Sequence, residues 1–189
     1  MCNRKYLFAL ITATCVFLLF ASALFSAVQA NIMKIRGQVT FTSDAPLELI
    51  KATSESLTGS IDPSTGQFAF LLNIRSFSGF NSRLQQEHFN EKYMESERFP
   101  TASFSGKIID PIDFNANGEY EVRAKGKLEI HGQTQVRIIK CKIKVLNGNL
   151  TINSLFRVPL SDHNITIPRI ISEKIATEID VKLVAGTHP

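Results

Sequence analysis

The sequence predicts an all-β fold, an antiparallel barrel of eight strands or slightly more, with one short helix inserted between strands 3 and 4. Three observations carry that expectation. Apolar and polar residues alternate with period two through most of the chain beyond Asn31. Clusters of Gly, Asn, Asp and Pro separate the alternating runs. One segment, Ser82–Glu95, breaks the alternation with helix formers. Strands that each bury one face must close on themselves or stack as two sheets to hide it. A barrel is favoured because the apolar faces mix Phe with Gly37, Ala124 and Gly126, a mixture that can leave interior space. A single short helix also suits the end of a barrel better than the face of a sheet. The interior of an eight-stranded barrel is filled by side chains or holds one small ligand.

The N-terminus reads as a targeting segment. Arg4 and Lys5 precede an apolar run from Tyr6 to Val28 that ends in Val28-Gln29-Ala30, the pattern of a signal peptide over residues 1–30, cut after Ala30. An uncleaved anchor competes with this reading, because the run is about long enough to span a bilayer. Export would place a single domain, residues 31–189, in the periplasm, with no stable membrane insertion after cleavage.

Across its 189 residues the chain has 44% hydrophobic residues and a net charge of +4, which excludes a disordered chain. Part of that basic excess leaves with Arg4 and Lys5. No Lys/Arg cluster is interleaved with stacking aromatics, so a nucleic-acid partner is excluded. Cys2 and Cys15 lie in the leader, so Cys141 alone remains and no internal disulfide can form.

Taken in order, the first apolar face holds Ile35, Val39 and Phe41, and a weaker second run covers Glu48–Leu57. Phe68, Phe70, Leu72 and Ile74 form the third, and Ala102, Phe104 and Ile108 the fourth. The clearest strand is Glu119–Ile130, where Tyr120, Val122, Ala124, Gly126, Leu128 and Ile130 oppose a fully charged face. The sixth alternates Ile139, Cys141, Ile143 and Val145 with lysines. Leu150, Ile152, Phe156 and Val158 make the seventh, and Ile175, Ile179, Val181 and Leu183 the eighth. His131-Gly132 reads as a tight turn, and Asn117-Gly118 and Asn147-Gly148 both carry the hairpin signature. The helix is expected over Ser82–Glu95, with Ser82 as N-cap and Pro100 limiting its continuation. A transmembrane barrel is disfavoured, since the mature chain has no Trp and two Tyr with which to build interfacial girdles.

Three segments carry a family resemblance: Ser76-Phe77-Ser78-Gly79-Phe80-Asn81-Ser82 through Phe99-Pro100-Thr101-Ala102-Ser103-Phe104, then Gly126-Lys127-Leu128-Glu129-Ile130-His131-Gly132, then Phe156-Arg157-Val158-Pro159-Leu160-Ser161-Asp162-His163. Together with Val39-Thr40-Phe41 and Gly59-Ser60-Ile61-Asp62, they make the mature chain resemble the YceI-like family of exported proteins. The resemblance implies a lipocalin-like barrel whose lumen holds a long apolar lipid, a polyisoprenoid such as a quinone tail or a prenyl phosphate. It implies no enzyme and no cofactor beyond such a bound lipid or quinone. Phe41, Phe70, Phe77, Phe80, Phe89, Phe104 and Phe156 are the expected ligand-binding residues, with lumen filling as the competing role for each.

No nucleophile, phosphate-loop or metal signature is present. His88 and Glu91 make an isolated His-x-x-Glu, too few ligands for a metal site. Arg75, Arg83 and Arg169 are candidates to meet an anionic head group at the barrel mouth. The rival function is a cell-envelope interaction protein with a filled barrel. A homodimer would form through an exposed sheet edge or the open mouth.

Overall fold

Alternation of buried and exposed residues sets the strands of the computed structural model, which describes residues 32–187. The expected leader and its cut after Ala30 lie outside those residues. The strands are β1 (Met33–Ala45), β2 (Glu48–Ile61), β3 (Gln67–Asn73), β4 (Thr101–Ile108), β5 (Gly118–Ile130), β6 (Gln133–Leu146), β7 (Asn149–Pro159) and β8 (Glu178–Thr187). Each pairs antiparallel with the next, and β8 returns to β1 to close the barrel. Closure joins the eight strands in a ring and turns the alternating apolar set into one lumen. On β5, Val122, Ala124 and Leu128 are buried while Arg123, Lys125 and Lys127 face solvent, the faces that the sequence predicts.

Turn chemistry agrees at two of the three dipeptides. His131-Gly132 (φ 52° and 69°) and Asn147-Gly148 (φ 51° and 78°) put both central residues in the left-handed region, as a two-residue hairpin turn with the twist of its strands requires. Asn117-Gly118 makes no such turn. It ends a longer connection, residues 109–117, that buries Phe114 in the core. Asn117 there serves its neighbour: its Oδ1 accepts from the Asn147 amide at 2.7 Å, tying two loops together at that end of the barrel.

The helix is shorter than expected. Ser82 does cap it, its hydroxyl accepting from the Gln85 amide at 3.1 Å, but the α-helical part, α1, spans Arg83–His88. A π-helical turn over Phe89–Tyr93 follows. The cause is local, since the Asn90 side-chain amide donates to the Gln86 carbonyl at 3.0 Å, the acceptor its own backbone amide would use in an α-helix. The insertion carrying α1 is held to β2 by a backbone bridge between Thr53 and Ser78. A hydroxyl cluster helps, with Ser54 2.6 Å from Ser76 and Ser56 2.8 Å from Ser76.

The wall is not uniform. β6 and β7 pair over Cys141–Leu146 and Asn149–Ser154, and no ladder joins the first half of β6 to the end of β7 among the described residues. Side chains close that seam instead. Arg137 donates to the Arg157 carbonyl at 2.8 Å and to Asp162 at 3.1 Å, Gln135 to the Asp162 carbonyl at 2.8 Å, and Ser154 to the Lys140 carbonyl at 2.7 Å.

Candidate functional site: an apolar lumen

The inward residues do not fill the barrel. At the end that carries α1, a cavity of about 450 Å³ opens between β1, β2, α1 and the connection from β7 to β8. A deeper chamber of about 140 Å³ lies behind it. The two share Val39, Leu72, Ala102, Ile130, Val158 and Val181 in their walls, which makes them successive parts of one lumen with a neck at those residues.

All seven Phe singled out from the sequence line this space. Phe41, Phe77, Phe80 and Phe89 wall the outer chamber, and Phe70, Phe104 and Phe156 the deep one. Phe77 is buried, but the other six keep accessible surface although they point inward. Part of each of these rings borders open volume, and dispersion partners are missing on that side. The outer four pack as a group: Phe41 meets Phe77 edge-on at 5.1 Å between centroids, and Phe80 lies 5.1 Å from Phe89. In the deep chamber Phe104 rests on Phe68 at 4.9 Å.

Polar groups gather at the mouth. Ser43, Glu48, Ser82, Gln85, His88, Tyr93 and Lys174 all border the outer chamber. Gln85 donates to the Glu48 carboxylate at 2.9 Å, and burial pushes the Tyr93 phenol up from its ordinary pKa. In the deep chamber Ser103, Ser154 and the Cys141 thiol are the polar lining. Burial likewise raises the Cys141 pKa, which keeps the sulfur a thiol and a poor nucleophile.

Two expectations need correction. Arg75 lies 2.9 Å from Glu97 and Arg83 3.0 Å from Glu87, and neither these two nor Arg169 borders the lumen. Lys174 is the lining cation instead. The eighth strand starts later than expected, at Glu178, so Ile175 lies in the connection from β7 to β8 and lines the outer chamber with Ile165, Ile167 and Ile171. The signal of Ile165, Ile167 and Ile171 was present as isoleucines in a stretch without strand period, but only the folded connection shows which of them turn inward. Asp162 and His163, adjacent in the chain, take different partners. Asp162 binds Arg137, while His163 is fully buried and its Nδ1–H donates to the Gln133 carbonyl at 3.2 Å.

His88 lines the outer chamber, and among the described residues no three potential metal-ligating side chains cluster. The apolar walls and polar rim suit the lumen to enclosing an apolar molecule by burial, with a polar end at the mouth.

Comparison with known proteins agrees with this geometry. A polyisoprenoid binding domain from Saccharophagus degradans, implicated in plant cell wall breakdown, superposes with a TM-score of 0.69 at 14% identity, covering 84% of this chain and 100% of that one. BcnA of Burkholderia cenocepacia gives 0.66 at 16%, covering 80% and 96%. A YCEI protein of Campylobacter jejuni gives 0.50 at 16%, covering 71% and 81%. At such identities these likenesses establish the fold. No curated protein sequence matches the chain. The sequence model of the YceI-like domain matches residues 16–185, a span that includes every strand from β1 to β7, nearly all of β8 and every wall of the lumen, and the chain therefore belongs to the YceI-like family.

Proposed function

We propose that the protein is an exported, periplasmic carrier that holds a long apolar lipid in its lumen, a polyisoprenoid such as a quinone tail or prenyl phosphate, with no covalent chemistry. The observation that carries the proposal is the two-part apolar lumen. Its outer chamber of about 450 Å³ falls in the roughly 300–1,000 Å³ range of small-molecule sites. The polar groups at the mouth and the nearly apolar deep chamber favour one orientation, tail inward and head group near Lys174 and His88. Each 100 Å² of tail removed from water contributes about 2.5 kcal/mol before ordering costs, so a tail running through both chambers needs no strong polar anchor. The description of the Saccharophagus domain as polyisoprenoid binding supports the same ligand class.

Native mass spectrometry of protein purified from the periplasm without detergent, followed by organic extraction, tests this. A discrete adduct of isoprenoid mass is expected. A bare mass that stays bare after incubation with quinones and prenyl phosphates would overturn it in favour of an envelope interaction protein.

A further inference from the structure

The outer face of β4–β6 carries side chains that the lumen does not use. Val136 and Ile138 of β6 point outward and are 65% and 56% exposed. Cross-strand register sets Lys127 of β5 beside Val136, Lys125 beside Ile138, and Lys107 of β4 beside Lys125. Lys140 is the next outward residue on β6. These four lysines are exposed, and none has a carboxylate partner among the described residues. Their neighbours differ: Lys142 pairs with Glu121 at 3.1 Å, Lys144 with Glu119 at 3.0 Å and Arg123 with Asp110 at 2.7 Å. Glu129, the outward residue after Lys127, is the nearby carboxylate left unpaired. The face is thus a local excess of uncompensated positive charge around two exposed β-branched apolar residues.

A second observation concerns the same stretch. The half of β6 that bears Val136 and Ile138 is the half without a ladder to β7. Across that seam Ile139 and Phe156 line the deep chamber, while outside it Leu155 is 70% exposed. Apolar surface therefore lies on both sides of the barrel wall at a stretch without a backbone ladder among the described residues.

We propose that this face docks on the anionic surface of a lipid bilayer, with Val136 and Ile138 at the headgroup boundary and Lys107, Lys125, Lys127 and Lys140 facing lipid phosphates. Charge complementarity selects an anionic partner. The exposed apolar pair at its centre selects a bilayer over an acidic protein or polysaccharide, because hydrocarbon and phosphate lie within one side-chain length of each other there. The inference does not depend on what the lumen holds.

The test is cosedimentation of the purified protein with vesicles of about 30 mol% phosphatidylglycerol in phosphatidylcholine, against pure phosphatidylcholine. Wild type and variants share one N-terminus, so any binding through it is a common background. Preference for the anionic vesicles is expected, weakening as salt is raised to about 0.5 M. Lys125→Gln combined with Lys127→Gln should lower binding about tenfold to thirtyfold. Val136→Ser with Ile138→Ser should lower it several-fold, and Lys142→Gln should change it least. Equal binding to both vesicle types, or unchanged binding in the paired lysine variant with its circular dichroism intact, would overturn the proposal. Retention by a soluble polyanion without any vesicle binding would overturn it in favour of an acidic polymer.

Discussion

The ring of Phe89, on the π-helical turn, stacks on the ring of Phe41 from β1 with centroids 5.2 Å apart and planes 15° from parallel. This pair joins the inserted helix to the barrel wall across the outer chamber, adding to the Thr53–Ser78 bridge and the Gln85–Glu48 hydrogen bond that hold the insertion. Phe89→Ala should lower stability by about 1–2 kcal/mol, less than the roughly 3–5 kcal/mol of a fully buried Phe, because one side of the ring already lacks packing. Affinity for a quinone should drop about tenfold in a fluorescence titration. A stability loss with unchanged affinity would make Phe89 purely architectural.

Ala102 borders both chambers at the neck. Ala102→Phe should obstruct passage to the deep chamber, so long-tailed isoprenoids lose affinity about tenfold or more while short-tailed analogues are held almost as before. Competition across a tail-length series reads this directly. Equal loss for all lengths would show that the tail ends in the outer chamber.

Cys141 sits in the deep chamber with its thiol pKa raised by burial. Maleimide labelling at neutral pH should therefore be slow, and bound lipid should slow it at least several-fold further. A labelling rate indifferent to lipid would place the tail elsewhere.

Gly106 faces Gly126 across β4 and β5. A methyl group on Gly106 would meet the Lys125 carbonyl, and one on Gly126 the Ser105 carbonyl, so the strands can approach only without side chains there. Gly126→Ala should cost about 2–4 kcal/mol by denaturant titration, since backbone cannot yield as a flexible side chain does. A variant as stable as wild type would show that the two strands can separate locally.

His163 supplies a pH dependence. Its Nδ1 is engaged by the Gln133 carbonyl and its Nε2 is buried without a partner, and burial holds the folded pKa below the ordinary value of 6.5. In the window between the folded and unfolded values the unfolded chain binds more protons. Stability is complete above about pH 6.5 and falls as pH drops below it, by at most about 1.4 kcal/mol per pH unit. Thermal melts from pH 7.5 to 5 should show this decline, and His163→Gln should flatten it while lowering stability at pH 7.5.

Strand number and the inward side of Phe41, Phe70, Phe104 and Phe156 were legible in the sequence because a pleated strand imposes period two on any residue it buries, whereas Phe77, Phe80 and Phe89 lie on the insertion and were singled out by the family resemblance. Helix length was not legible. Asn90 reads as an ordinary helix residue until its side chain is seen to take the Gln86 carbonyl. Asn117-Gly118 failed for a related reason, since a hairpin dipeptide specifies a turn only where the flanking strands arrive in register, and here residues 109–117 intervene. The wall of Ile165, Ile167 and Ile171 and the cation Lys174 were hidden because irregular backbone has no period from which to read a face.

By itself the sequence determined that each strand has an apolar face and a polar one, because burial of alternating side chains is local information repeated strand by strand, and it favoured a barrel over two stacked sheets. Whether the barrel interior is packed or open was decided only by the tertiary structure. Lumen volume depends on how eight faces, one insertion and one connection meet, and no single strand carries that distance.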